Sequence, residues 1–71
     1  MKILVSDRLS PEGLAVLKSH PEFQVIEAAG KPRSEVLSLL PSADALIIRS
    51  ETQADSVLLA AGQNLKVVGR A

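Results

Sequence analysis

The chain has no cysteine, tryptophan or tyrosine, and a single phenylalanine, Phe23. Without thiols there is no disulfide and no thiolate metal site, a composition compatible with a reducing compartment. Without aromatic platforms there is nothing on which single-stranded bases would stack. An excess of one charge is also missing. Eight Lys and Arg stand against eight Asp and Glu, a formal net charge of zero, so no field draws nucleic acid or an anionic membrane. No apolar run approaches the ~20 residues of a membrane span, and a strand pattern that starts at Lys2 leaves no room for a leader. Neither nucleic acid nor membrane is expected as a partner, no metal site is expected, and a cytoplasmic setting is the expectation. Glycine-rich phosphate loops and the G-x-G-x-x-G fingerprint do not occur.

What is present is aliphatic. Of the 71 residues, 46% are hydrophobic, enough for a core and too many for disorder. Residues 1–71 amount to at most one small domain, and such a domain buries only about 60% of the surface its unfolded chain exposes. Apolar runs at 3–5, 23–26, 45–48 and 65–68 read as strands. They are near-continuous rather than alternating, as suits strands covered on both faces.

Three helix patterns lie between them. Ser10 can cap the first, with Pro11 at the first helical position, Glu12 in the first turn, and Leu9 and Leu14 as a hydrophobic staple. His20-Pro21 ends it. The second opens around Pro32-Arg33-Ser34-Glu35 and stops at Pro41. Asp55 can cap the third, which runs to Gly62. The order β-α-β-α-β-α-β predicts an α/β fold, a flavodoxin-like parallel sheet with right-handed crossovers. Strand order 2-1-3-4 is the first expectation and 3-2-1-4 its competitor.

Ligands of open parallel sheets sit beyond the carboxyl ends of the strands. Ser6, Asp7 and Arg8 follow the first strand, and Glu27 to Gly30 follow the second. Arg49, Ser50, Glu51 and Thr52 follow the third, and Gly69, Arg70 and Ala71 follow the fourth. In order 2-1-3-4, Arg49 and Arg70 emerge side by side, with Ser50 close to Ser6 and Asp7. Two adjacent guanidinium groups repel until an anion neutralises them, and their forks suit phosphate or carboxylate. Ser50 and Thr52 can add hydroxyl donors. The plainer reading gives both arginines heads in water and stems over apolar surface. Asp7 more often bonds loop amides than a ligand. His20, beside a proline, reads as a surface residue, and Ser6 has no histidine base to activate it.

The stretches 1–7, 10–14, 43–52 and 64–71 resemble the amino-terminal segment of the D-isomer-specific 2-hydroxyacid dehydrogenase family, and within it the branch that oxidises 3-phosphoglycerate. The resemblance runs the whole length, and the matched spacing of the motifs around Arg49 and Arg70 is its specific part. It implies a flavodoxin-like substrate (lid) domain, into which a Rossmann domain that binds NAD is inserted. It implies that Arg49 and Arg70 bind the phosphate and carboxylate of a small phosphorylated hydroxy acid, with Ser50 and Thr52 lining the same cleft. It also implies a parent enzyme that is a homo-oligomer.

The family's Gly-rich loop after Gly-Arg-Ala, its dinucleotide fingerprint and its catalytic His, Glu and Arg have no counterpart here. The expectation is therefore an incomplete substrate domain with no catalytic and no cofactor-binding residue, inactive by itself. Its sheet edge near 65–68 would be unpaired, making it weakly stable or self-associating. Two readings compete: a sister dehydrogenase acting on glyoxylate or hydroxypyruvate, and a stand-alone anion-binding or interaction module. A receiver-like signalling domain is disfavoured, because Arg49 stands where its acceptor Asp would be and Asp7 has no acidic neighbour.

Overall fold

Four strands lie parallel in the order second, first, third, fourth. The computed structural model describes residues 1–50 and 52–70; Glu51 and Ala71, named above among the residues that follow the third and fourth strands, lie outside the described residues. The elements are β1 (Lys2–Val5), α1 (Pro11–Lys18), β2 (Gln24–Glu27), α2 (Arg33–Leu39), β3 (Ala45–Ile48), α3 (Ser56–Ala61) and β4 (Val67–Arg70), with a 3-10 turn at Leu40–Ser42 after α2. This is the flavodoxin-like order expected first. The reversal of direction on either side of β1 leaves a crevice at the carboxyl ends.

The helices begin where capping chemistry allows. The Ser10 hydroxyl accepts the Gly13 N–H at 3.1 Å, and the Asp55 carboxylate accepts the Leu58 N–H at 3.0 Å. Pro32, which has no side-chain acceptor, precedes α2. Ser19 ends α1 just ahead of His20-Pro21. Gly62 ends α3 by another route than a left-handed turn, since its φ is −90°. A Cβ there would stand 2.3 Å from Leu65 Cδ1. Leu65 folds back over the helix end, and any side chain at position 62 would force it to shift.

Side chains alternate across the sheet. Leu4, Leu46 and Ile48 face α2 and α3, and with Val36, Leu40 and Leu58 they form the larger core cluster; Leu4, Leu40, Leu46 and Leu58 are completely buried. Ile3, Val5 and Ala45 face α1 and pack with Leu9, Leu17, Phe23, Val25 and Ile47. Burying one such aliphatic side chain stabilises by roughly 1.5–3 kcal/mol.

Three strands have other bounds than the sequence reading: the first takes in Lys2 as well, and the second and fourth are shifted along the chain. The second strand starts one residue later, because Phe23 closes a turn by donating its N–H to the His20 carbonyl at 3.0 Å. The fourth is Val67–Arg70, not 65–68. Leu65 is drawn into the larger core cluster, and pairing with β3 carries the strand on through Gly69 to Arg70. Among the described residues β4 pairs on one side only, with Val67 and Val68 exposed.

Candidate functional site

The carboxyl end of β1 runs directly into Ser6 and Asp7, both buried. A carboxylate there must find donors or remain an uncompensated buried charge. Asp7 finds them on the segment after β3. Its Oδ2 accepts the Arg49 N–H at 2.6 Å and the Thr52 N–H at 2.9 Å, and its Oδ1 accepts the Thr52 hydroxyl. The Thr52 oxygen in turn accepts the Ser6 hydroxyl at 3.1 Å. Burial pushes the Asp7 carboxyl upward, but the Thr52 hydroxyl, the two amides and the positive Arg49 together outweigh it and hold it below its ordinary value. Asp7 thus bonds loop amides, as expected of an aspartate in that position.

Register fixes the arginines. Ile48 pairs with Arg70 across β3 and β4, so Arg70 is the last residue of its strand and not one beyond it, while Arg49 stands one step past the pair. The Arg49 guanidinium turns toward the β1–α1 loop and donates to the Arg8 carbonyl at 3.1 Å. Arg70 lines an open groove of about 520 Å³ with Ile48, Ser50, Thr52, Gln53 and Asp55. The structure therefore gathers Ser50, Thr52 and Arg70 in one groove and sends the Arg49 head the other way, toward the β1–α1 loop, so the two guanidinium groups do not emerge side by side. The residue that bonds both Ser6 and Asp7 is Thr52, while Ser50, expected close to that pair, is exposed.

Thr52 also lines a second cleft, of about 270 Å³, with Ser6, Asp7, Lys31 and Arg33. Between the two openings Arg33 holds Asp55 through contacts of 2.7 and 2.8 Å. The Leu58 amide, above all, lowers the Asp55 carboxyl, opposed by burial and aided by Arg33. Sequence reading found Asp55 as a cap but not its ion pair, because Arg33 lies 22 residues away and carries no local signal. Lys31 was missed for the same reason.

The groove offers the Arg70 guanidinium and the Ser50 hydroxyl, a pair of donors for an oxyanion. Among the described residues it offers no proton shuttle. Its carboxylate, Asp55, is held by Arg33, and the sole histidine, His20, lies half-exposed beside Glu22 and Phe23. No group of three or more metal-ligating side chains occurs among the described residues, and none of their helices is long and apolar enough to cross a membrane. The loop after β1 does not fit a dinucleotide. A pyrophosphate needs open amides after a glycine-rich turn, whereas β1 leads through Ser6 to Ser10 without glycine. At the starts of α1 and α3 one amide each, that of Gly13 and that of Leu58, is taken by its own cap.

A family model described as "D-isomer specific 2-hydroxyacid dehydrogenase, catalytic domain" matches residues 3–71. D-3-phosphoglycerate dehydrogenase of Mycobacterium bovis is 39% identical over 97% of this chain and 13% of its own length. That of Archaeoglobus fulgidus is 32% identical over 100% of this chain and 13% of its own length. Hydroxypyruvate reductase of Thermotoga maritima is 30% identical over 99% and 22%. The chain thus spans between about an eighth and a fifth of these relatives.

Proposed function

The chain belongs to the D-isomer specific 2-hydroxyacid dehydrogenase family, and from that premise we propose that it is the substrate-binding segment of an NAD-dependent oxidoreductase that converts 3-phosphoglycerate to 3-phosphohydroxypyruvate in serine biosynthesis. The observation that carries the reading is the groove at the carboxyl ends of β3 and β4, where Arg70 and Ser50 line the same space, with the Arg49 guanidinium on the β1 side of β3 at the Arg8 carbonyl. A substrate with a phosphate at one end and a carboxylate at the other presents two anions to two guanidinium groups. Binding energy from such remote groups holds the carbinol carbon in place for oxidation.

Residues 1–71 form part of the substrate domain in this reading. Oxidising a secondary alcohol to a ketone removes a hydride and a proton, and we place both acceptors, NAD and a general base, in polypeptide other than these residues. The working enzyme is then a cytoplasmic homo-oligomer, and these residues by themselves are inactive.

A second reading is favoured by the relative named hydroxypyruvate reductase: an enzyme for a smaller, unphosphorylated acid. Turnover separates the two. The full-length protein should reduce NAD with 3-phosphoglycerate and reduce 3-phosphohydroxypyruvate with NADH far faster than it reduces glyoxylate or hydroxypyruvate. A preference for the unphosphorylated acids would replace the first reading with the second. Binding of the phosphorylated acid without any turnover would leave only an anion-binding module.

A further inference from the structure

The directions of the hydrogen bonds around Asp7 carry more than a clasp between two loops. A threonine hydroxyl has one proton to donate. In Thr52 that proton goes to Asp7 Oδ1, and the oxygen already receives the Ser6 hydroxyl. An anion in the groove requires donors, and Thr52 has none left to give it, although its side chain lines the wall. Asp7 meanwhile takes the backbone N–H of Arg49 and that of Thr52 on a single oxygen, at 2.6 and 2.9 Å. Both anchors are on one short stretch, with Ser50 between them. The direction in which Ser50 and the Arg49 side chain leave the backbone is thereby set from the end of β1.

We infer that Asp7 is the positioning residue of the anion-binding stretch, and that Thr52 serves ligand binding through Asp7 rather than by touching the ligand. The inference rests on the proposed phosphorylated-acid site and adds to it a division of labour: Ser50, Arg49 and Arg70 meet the anion, while Ser6, Asp7 and Thr52 form the buried frame that aims them. An asparagine at position 7 can keep half of the frame. Its carbonyl oxygen can still accept both amides. Its NH₂ must donate to Thr52, which then turns its proton toward Ser6, and Ser6 toward the Ile47 carbonyl 3.4 Å away.

The test is a double-mutant cycle on the affinity of the full-length protein for 3-phosphoglycerate, measured by titration calorimetry. Asp7→Ala and Thr52→Val should each weaken binding about tenfold, and the double variant should be no weaker than Asp7→Ala alone, because both changes break one frame. Thr52→Ser should bind like the unaltered protein, and Asp7→Asn should lie between it and Asp7→Ala. Losses that multiply in the double variant to about a hundredfold would mean that Thr52 touches the ligand itself, and the inference falls. Unaltered affinity in Asp7→Ala overturns it as well. If Asp7→Ala does not fold, the same cycle run with Asp7→Asn decides between shared and multiplying losses.

Failure of the unaltered protein to bind 3-phosphoglycerate would instead overturn the proposed function. Amide hydrogen exchange then judges the positioning role alone. Faster exchange at Arg49 and Thr52 in the Asp7 variant, with Leu46 still protected, supports it. Unaltered exchange at both overturns it.

Discussion

The two faces of the sheet are built from the same four strands and are filled very differently. On one face α2 and α3 close over Leu4, Leu46 and Ile48, and the packing leaves Leu4, Leu40, Leu46 and Leu58 with no exposed surface. On the other, α1 covers β1 and β2 but stops short of β4. Leu9, Gly13, Val16, Leu17, Ile47 and Gly69 line an open apolar groove of about 410 Å³ there, and Val16 and Val67 are 62% and 53% exposed. A parallel sheet is stable when both faces are covered. Cohesion therefore belongs to the α2–α3 face, and substitutions on the α1 side next to β4 should cost little.

Replacing a residue at the centre of the closed face tests this most severely. Leu46→Ala should destabilise by about 2–5 kcal/mol, the range for a large-to-small change in a core that cannot collapse. Chemical denaturation would show the midpoint falling with little change in slope. A loss under about 1 kcal/mol would mean that the closed face is not the centre of stability.

Acid comes next. Because the folded carboxyl of Asp7 lies below its ordinary value of 3.8, its contribution is fully present above that pH and is lost as pH falls through the depressed folded value. Asp55 is shifted in the same direction, so the Asp7→Asn variant is needed to isolate Asp7. Its melting temperature should fall less steeply below pH 3.8 than that of the unaltered protein. Parallel acid limbs in the two proteins would contradict the Asp7 assignment.

The smallest effect is expected on the open face. Val16→Ala should change stability by less than about 0.5 kcal/mol, measured in the same denaturant series. A loss approaching that of Leu46→Ala would show that the α1 side is as tightly held as the other.

The closed face was also the more legible in the sequence. The continuous runs at 3–5 and 45–48, with proline and capping residues between them, showed a parallel α/β sheet; they made 2-1-3-4 the first expectation but left 3-2-1-4 open, and the strand pairing decided between them. The fourth strand was read two residues early because Leu65-Lys66-Val67-Val68 carries the apolar signal, whereas Gly69-Arg70 carries none. Their strand conformation comes from pairing with β3, and Leu65 belongs to the core beside Gly62. At the site, Asp7 announced itself as an aspartate just past a strand. Its partner Thr52 stands 45 residues away, and only the topology joins them. That Arg49 and Arg70 sit on neighbouring strands was readable from the order. That one head turns to the Arg8 carbonyl while the other lines the groove depends on register and loop path, which no local pattern encodes.

The central claim is that the Ser50–Arg70 groove holds a phosphorylated hydroxy acid, with Arg49 as the second arginine that serves it. Titration calorimetry of the full-length protein with 3-phosphoglycerate and with D-glycerate tests it most directly, repeated on Arg49→Ala and Arg70→Ala. The account predicts that the phosphorylated acid binds more tightly and that each substitution costs about tenfold or more, as expected for loss of a charge-assisted hydrogen bond. Equal affinity for the two acids, or 3-phosphoglycerate binding that neither substitution weakens, would contradict it.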